Sequence, residues 1–318
     1  MLGFQPKFIL MERNLYMNII KQAIQNKYDF IIIFDCRNSN PNGDPDAGNQ
    51  PRIDPETGLC LVTDVSLKRK IRNYVALMRE GVPGFKMYIQ PQSGQTLNDR
   101  DMESFVAATG CTKESIAEYK KGHPEADDVL RNFMCENYYD IRTFGGVMTK
   151  FQSANLNCGT IRGPVQISMA ESVSPVELRE LSITRTAVAT EDEIKKKEGT
   201  FGQKPIIPYG LFVCTGSVSP TLAQKYTGFS EVDLNLLWDA IMNMFDFDKS
   251  ACRAEMATRK LVIFRHESMY GNAPSHKLYE RVHVKEVNPG KPIRSYSDYE
   301  VTVDDTNLPS GVSIEVRE

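Results

Sequence analysis

The 318-residue sequence has few of the residues from which common catalytic and metal sites are built. Its four histidines, His123, His266, His276 and His283, are scattered, and none stands in an H-E-x-x-H pattern. The seven cysteines form no C-x-x-C pair, so the sequence predicts neither a zinc site nor a disulfide framework. We expect these side chains to be structural, in a reducing cytoplasm.

Motifs of nucleotide-binding and acyl-transfer enzymes are also lacking: there is no G-x-S-x-G, G-x-x-x-x-G-K-[ST] or G-x-G-x-x-G. No apolar run approaches the ~18 residues of a membrane span, and the N-terminal segment lacks the continuous apolar core of a signal peptide. We therefore expect a cytoplasmic protein without catalytic residues, metal, cofactor or membrane contact.

Positive charge is not in surplus either. The net charge is −3 and the isoelectric point is about 5.9, whereas most nucleic-acid-binding domains are plainly basic. A nucleic-acid site in this chain would have to be a local basic groove. The apolar content of 41% is sufficient for a substantial core.

The first half of the sequence predicts a strand, a long loop and a basic helix. The β-branched and aromatic run YDFIIIFDC, residues 28–36, is typical of a buried central strand. Residues 37–60 are so rich in Asn, Pro, Gly and Asp that a long, turn-rich loop is expected, and loops of this length usually have a function. Thr63 or Asp64 can cap a helix that runs to about Glu80.

The remaining elements complete an α+β pattern. FKMYI at 85–89 predicts a second strand, and helices at 101–108, 112–121 and 125–137 form an insertion of about 95–140. Further strands are predicted at 164–170, 206–218 and 260–268 and in ERVHVKEV, YEVTV and VSIEV, with a helix at 230–247. The order β-α-β, insertions, β-α-β is ferredoxin-like. Residues 1–27 are an extension that can be disordered, with a helix predicted from Met17, an alternative start.

Carboxylates in and before the long loop leave a catalytic alternative open. They are Asp35, Asp44, Asp46 and Asp54. A metal-dependent nuclease would need such a set. However, a calcium-loop register that starts at Asn42 places Ala47 at the glycine position and Ile53 at the final glutamate position. We expect Asx turns that cap the loop's own backbone rather than metal ligands.

Basic residues near glycines give a stronger signal. The helix after the loop carries Lys68, Arg69, Lys70 and Arg72. Arg142 stands beside Phe144-Gly145-Gly146, where backbone amides can approach phosphates closely. A solvated helix face and an ordinary glycine turn are the alternatives. No aromatic RNP strand is present, so RNA binding would use phosphate contacts that accept any sequence.

Several segments together resemble one protein family. They are FDCRNSNPNGDPDAGNQPRIDPETG, LVTDVSLKRKIRNYV, DIRTFGGVM, IRGPVQISMAESVSP, SITRTAVATE and PYGLFVCTGSVS. In order and spacing they resemble the backbone subunit, of the RAMP superfamily, of the subtype I-C CRISPR Cascade complex. The resemblance covers roughly residues 28–318.

The resemblance implies one RRM-like domain over residues 28–318, a palm with inserted helical fingers at about 95–140 and a thumb hairpin at about 190–206. Copies of the chain would stack along CRISPR RNA and present it for pairing with target DNA, together with guide-processing, large and small Cascade subunits. Related type III backbone proteins cut RNA with a loop aspartate, so a metal-dependent ribonuclease stays the alternative. A protein-only interaction module is a third possibility.

The resemblance also implies which residues meet the RNA. On the helix they are Ser66, Lys68, Arg69 and Arg72; at the glycine junction, Arg142, Phe144, Gly145 and Gly146; in the loop, Asn40, Asn42 and Arg52; and beyond these, Arg185 and, as a contact at the tip of the thumb, Lys204.

Overall fold

The computed structural model describes residues 22–90, 94–148, 159–185 and 200–318. The strands are β1 Tyr28–Ser39, β2 Gly43–Asp44, β3 Gln50–Ile53, β4 Cys60–Val62, β5 Gly145–Met148, β6 Gly159–Arg162, β7 Val165–Ile167, β8 Ala170–Ser172, β9 Arg179–Arg185, β10 Thr200–Val218, β11 Glu255–His266, β12 Val282–Glu286, β13 Tyr299–Val303 and β14 Val312–Arg317. The helices are α1 Asp64–Met78, α2 Leu97–Thr109, α3 Ile116–Gly122, α4 Ala126–Asn137, α5 Tyr139–Phe144, α6 Pro220–Leu222, α7 Glu231–Phe247 and α8 Ser275–Tyr279.

A large antiparallel sheet organises this mixed α/β chain. Its strands follow the order β14-β11-β1-β10-β8-β4-β3-β2, and β7 and β9 also pair with β10. Strand β1 lies between β10 and β11, so the prediction of a buried central strand at 28–36 is confirmed. The strand predicted at 164–170 is divided into β7 and β8, because Ser168 leaves the ladder and bonds Thr215 through both its backbone and its hydroxyl.

Both faces of the central strands are covered. On one face, Phe30 and Phe34 pack against Trp238 and Phe245 of α7, and α1 lies beside α7. On the other face, alternate residues such as Ile31 and Ile33 pack in a second apolar cluster with residues of α8, β12 and β13. The sheet therefore offers no open aromatic surface at β1.

The helices of the insertion enclose an apolar cluster of their own. It includes Phe105 of α2, Ile116 of α3 and Leu130 and Met134 of α4. Each predicted helix of the insertion has a counterpart in α2, α3 or α4, and α1 and α7 match their predicted bounds closely. Amphipathic spacing was sufficient here because each helix buries one side.

Two predicted elements are wrong. Residues 85–89 form a single bridge, between Lys86 and Tyr138, because the amides of Tyr88 and Ile89 donate to the Asp140 carboxylate at 2.8 and 2.9 Å instead of to a neighbouring strand. Residues 22–27 of the predicted N-terminal helix are not helical: Ala23 forms a single bridge with Ser230, and the amide of buried Ile24 donates to the Phe229 carbonyl at 3.0 Å.

The rest of the predicted N-terminal extension, residues 1–21, lies outside the described residues. Within the described ranges, no helix is long and apolar enough to cross a membrane.

Candidate nucleic-acid interface

The asparagine-rich loop is joined to the start of α1 by side-chain hydrogen bonds. The Asn42 carbonyl oxygen accepts from the amide and the hydroxyl of Thr63, both at 2.9 Å, and the Thr63 hydroxyl accepts from the Ser66 amide at 3.2 Å. Buried Asn40 donates to the Asn49 carbonyl at 2.7 Å. These predicted site residues thus fix the loop against the helix N-terminus.

The loop carboxylates are engaged with their own turns. Asp44 accepts from the Asp46 amide at 3.1 Å and lies 3.3 Å from Arg52. Asp54 accepts from Thr57 at 2.6 Å and from the Glu56 amide at 3.1 Å, and these bonds lower its pKa. The expected Asx turns are confirmed.

Asp35 lies apart from the loop, in the middle of the sheet. It is buried and accepts from the Tyr209 hydroxyl at 3.0 Å, and it lies 2.8 Å from the Arg259 guanidinium. Among the described residues, no group of three or more His, Cys, Asp and Glu side chains is arranged to hold a metal ion.

The cations of α1 point in different directions, because successive helix residues are separated by about 100°. Lys70 is buried and paired with Asp248, and Arg72 is nearly buried with its Nε donating to Asp140 at 3.0 Å. Lys68 is mostly covered and lies 2.9 Å from Asp64. Arg69 is exposed and forms no ion pair with another described residue. Of the four cations, Arg69 is the one open to solvent.

Arg142 does not line a surface groove, contrary to the prediction. Its side chain is 2% exposed, and its guanidinium donates to both oxygens of Asp233, at 3.0 and 2.7 Å. Two other N–H groups donate to the carbonyls of Cys135 at 2.8 Å and Gly84 at 3.0 Å. A further N–H donates to the Glu136 carbonyl at 3.3 Å, so this buried guanidinium has no N–H donor left for a phosphate.

The predicted glycine junction is a hairpin of β5 and β6. Gly145 pairs with Arg162 and Gly146 with Ile161. A Cβ atom on Gly145 would lie 2.1 Å from the Ile161 oxygen, and one on Gly163 would lie 2.2 Å from the Phe144 carbonyl carbon. Glycine is therefore required at 145 and 163 for the two backbones to approach each other. This requirement is structural, whatever the hairpin binds.

Phe144 connects this hairpin to α1. The Arg72 guanidinium lies 5.2 Å, and the Lys68 ammonium 5.8 Å, from the centre of its ring, within the range of cation–π attraction. On the hairpin side, Phe144 borders an open cavity of about 460 Å³ together with Gly145, Gly146 and Arg162. The structure thus brings five of the predicted residues to one place: Lys68, Arg72, Phe144, Gly145 and Gly146.

Sequence reasoning missed Arg162 as a candidate. It is exposed, lies across the hairpin from Gly145, and forms no ion pair with another described residue. A signal was present in the sequence, because Arg162 directly precedes the Gly163-Pro164 turn within the segment IRGPVQ.

The predicted thumb is only partly described. Strands β9 and β10 form an antiparallel arm in which Arg185 pairs with Thr200 and Lys204 with Leu181. The arm starts at Arg179, before the predicted start at about 190, and residues 186–199 lie outside the described residues. Exposed Leu181 and Ile183 lie along β9. Lys204, expected at the tip, lies opposite Leu181, nearer to the Arg179 end of the arm than to the Arg185 end.

Comparisons with known proteins agree on one family. A family model described as CRISPR-associated protein Cas7 matches residues 26–304. The CRISPR-associated protein Cas7 of Haloferax volcanii is 26% identical over 269 residues, which cover 78% of this chain and 72% of that protein.

Solved structures are similar at a lower level. A chain of a structure titled CRISPR RNA-guided surveillance complex, pre-nicking, aligns with a TM-score of 0.45 and 15% identity over 75% of this chain and 78% of that chain. A chain of a type III-B Cmr-beta complex bound to cognate target RNA aligns with a TM-score of 0.38 and 10% identity over 81% of this chain and 65% of that chain. Because the family model covers most of the sequence, this chain belongs to the CRISPR-associated protein Cas7 family.

Proposed function

We propose that this chain is a non-catalytic backbone subunit that binds CRISPR RNA in a subtype I-C Cascade complex of the cytoplasm. In this proposal, copies of the chain assemble along one guide and leave its bases free to pair with target DNA. The guide-processing, large and small subunits of the complex are its other partners. Family membership and the resemblance of the sequence segments support this assignment.

The strand order supports an RRM-like palm. Read from β11 through β1 and β10 to β8, it is the order 4-1-3-2 of a ferredoxin-like sheet, with α1 and α7 as the two crossover helices. In the proposal, α2 to α5 are the fingers and the β9–β10 arm is the base of the thumb. An ordinary RRM binds bases on the open face of its sheet, and here that face is covered by α8, β12 and β13.

One observation carries the proposal: Phe144 joins the α1 cations to a glycine hairpin that bears an exposed arginine. Lys68 and Arg72, which are paired with Asp64 and Asp140, lie over one ring, and exposed Arg162 lines the cavity on the hairpin side. Such a site can contact sugar and phosphate without reading bases, because charge and backbone groups supply the contacts. That is the requirement for a guide whose sequence varies.

The contacts of the loop and strand carboxylates favour a non-catalytic role rather than the role of a ribonuclease. Asp35 is held by Tyr209 and Arg259, and Asp44 by Arg52 and its own turn. A hydrolytic metal needs carboxylates that converge on it. Incubation with complementary RNA and magnesium or manganese tests this point, and cleavage lost on Asp44→Ala would support the rival.

The main test is RNA binding by the purified full-length chain. Wild type should copurify with nuclease-protected RNA and form multimers on it. The double variant Arg69→Ala, Arg162→Ala should retain less RNA. The control variant is Lys285→Ala with Lys291→Ala. It removes the same charge from two exposed positions, one in β12 and one after it, and should behave as wild type. If the wild-type protein carries no RNA even when it is produced together with its operon partners, the proposal is rejected in favour of a protein-only module.

A further inference from the structure

We propose that a second contact for RNA lies next to the Phe144 hairpin, where the exposed ring of Tyr270 stacks on a nucleobase. The inference rests on the proposed function, since it extends the same RNA path across the sheet. It is carried by the proximity of two cavities, by the polar groups of the second cavity and by the structure of the loop that displays Tyr270.

The two cavities lie beside each other at one pair of strands. The cavity beside the hairpin is lined by Gln166 of β7 and by Leu222, and the second cavity, of about 210 Å³, is lined by Ser217 of β10 and by Thr221. Gln166 and Ser217 are directly opposite each other in the β7–β10 ladder. Opposite residues of an antiparallel pair project from the same face, so a bound chain can pass from one cavity to the next.

Polar donors line the second cavity. Ser217, Ser219 and Thr221 supply hydroxyl groups, and the Lys27 ammonium borders the same space. The ammonium lies 3.0 Å from Asp29 and 3.2 Å from the Ser275 hydroxyl, and an ammonium has three N–H donors. Hydroxyls and a partly balanced cation suit the oxygens of a sugar-phosphate chain better than an apolar peptide.

The loop that carries Tyr270 is built by its own hydrogen bonds. The Ser268 amide donates to the Asn272 side chain at 2.9 Å, and the Tyr270 amide donates to the Ser268 hydroxyl at 3.2 Å. The Asn272 amide donates to Nδ1 of buried His266 at 2.8 Å. These bonds hold the backbone of the loop in a defined conformation, from which Tyr270, an 80% exposed residue, projects.

A ring displayed in this way is suited to stacking on a base. It loses little conformational freedom when it binds, because its backbone is already fixed and a tyrosine has two side-chain torsions. Stacking is also tolerant of sequence, since every base has a π face. The neighbours of Tyr270 in the cavity include three hydroxyl side chains and Lys27 beside Val218 and Met269, and this polar share suits sugar and phosphate oxygens.

The test uses the full-length chain and an oligouridylate that carries a photoreactive thiouridine. Tyr270→Ala should weaken binding about tenfold, the range of one lost base stack, and Tyr270→Phe should bind as wild type. Cross-linking of wild type should label the 268–272 loop. In Tyr270→Trp, fluorescence of the new surface indole should be quenched by RNA, whereas Trp238 in the core should change little.

The variants separate this inference from the proposed function. If Arg69→Ala with Arg162→Ala weakens binding while Tyr270→Ala does not and no cross-link reaches the loop, the stacking site is rejected and the proposed function stands. If wild type does not bind the oligouridylate, both fail. If Tyr270→Ala leaves RNA binding intact but releases another protein subunit from the complex, the loop is a protein contact and the inference is wrong.

Discussion

Two arginines near the β5–β6 hairpin differ because one lies in the interior of the protein and the other on its surface. Arg142, just before the hairpin, is buried and satisfied by Asp233 and backbone carbonyls, whereas Arg162, on the second strand, is exposed. Both stand near the same glycines, and both occur in segments that resemble the same family. The difference shows that a cation near a flexible glycine is not by itself a phosphate ligand, because its role depends on whether a carboxylate lies within reach.

The same division applies to α1 and sorts its cations into two groups. Lys70 and Arg72 join the interior group through Asp248 and Asp140, and Arg69 joins the surface group. We expect substitutions in the interior group to lower stability, and substitutions in the surface group to lower RNA affinity at constant stability. Each prediction below tests one side of this division.

The largest effect should come from Arg142→Ala. The substitution leaves Asp233 fully buried without its cation and leaves the Gly84 and Cys135 carbonyls without a donor. Removing one partner of a buried ion pair costs about 3–5 kcal/mol, which urea unfolding would measure. The matched control, Arg162→Ala, should change the free energy of unfolding by less than about 0.5 kcal/mol. A stable Arg142→Ala variant with impaired RNA binding would reverse the assignment of the two arginines.

The second prediction concerns a buried carboxylate without a cation. Asp101, in α2 of the insertion, is 1% exposed; one oxygen accepts from the Tyr88 hydroxyl at 2.9 Å and the other has no partner among the described residues. Burial raises its pKa to about 7. Between pH 3.8, the value for the free side chain, and about 7, the unfolded chain loses a proton that the folded chain retains.

Stability should therefore fall as pH rises through that window, by about 1.4 kcal/mol for each pH unit, and level off above it. Asp101→Asn should remove this dependence of stability on pH, while the side-chain oxygen of the asparagine can still accept the hydrogen bond from the Tyr88 hydroxyl. Urea unfolding of both proteins at several pH values gives the difference directly. Parallel pH profiles would show that Asp101 ionises normally and that the insertion holds a charge in its core.

A smaller effect is expected from Gly145→Ala, which tests whether the hairpin glycine is structural. Its φ of +77° is unfavourable for alanine, and the added Cβ would meet the Ile161 oxygen at 2.1 Å. The backbone strain costs about 1–3 kcal/mol, and the steric contact should make the loss of stability larger than strain alone produces. Gly110→Ala is the control, because its φ is +74° but nothing lies within 4 Å of an added Cβ. Equal losses of stability in the two variants would mean that the close approach of the two backbones contributes nothing.

The sequence predicted what local patterns determine. The run at 28–36, the amphipathic spacing of α1 and α7, and the Asx turns at Asp44 and Asp54 all depend on neighbours within a few residues. The site depends on distant partners: Arg142 pairs with Asp233, 91 residues away, and Arg72 with Asp140, 68 residues away. The strand predicted at 85–89 was wrong for the same reason, because Asp140 takes its amides. No periodicity in a single sequence carries such pairings.

The smallest effect, and the one most specific to the surface group, is a change in the salt dependence of RNA binding. Each phosphate contact with single-stranded RNA releases condensed counterions, so its loss should reduce the slope of log affinity against log salt by about 0.7. We expect this reduction for Arg69→Ala and again for Arg162→Ala, and the sum for the double variant, as measured by titration of an oligouridylate at several salt concentrations. Lys285→Ala with Lys291→Ala should keep the wild-type slope. A slope unchanged in the double variant would mean that the exposed cations do not touch phosphate, and the interior and surface groups would then differ only in burial.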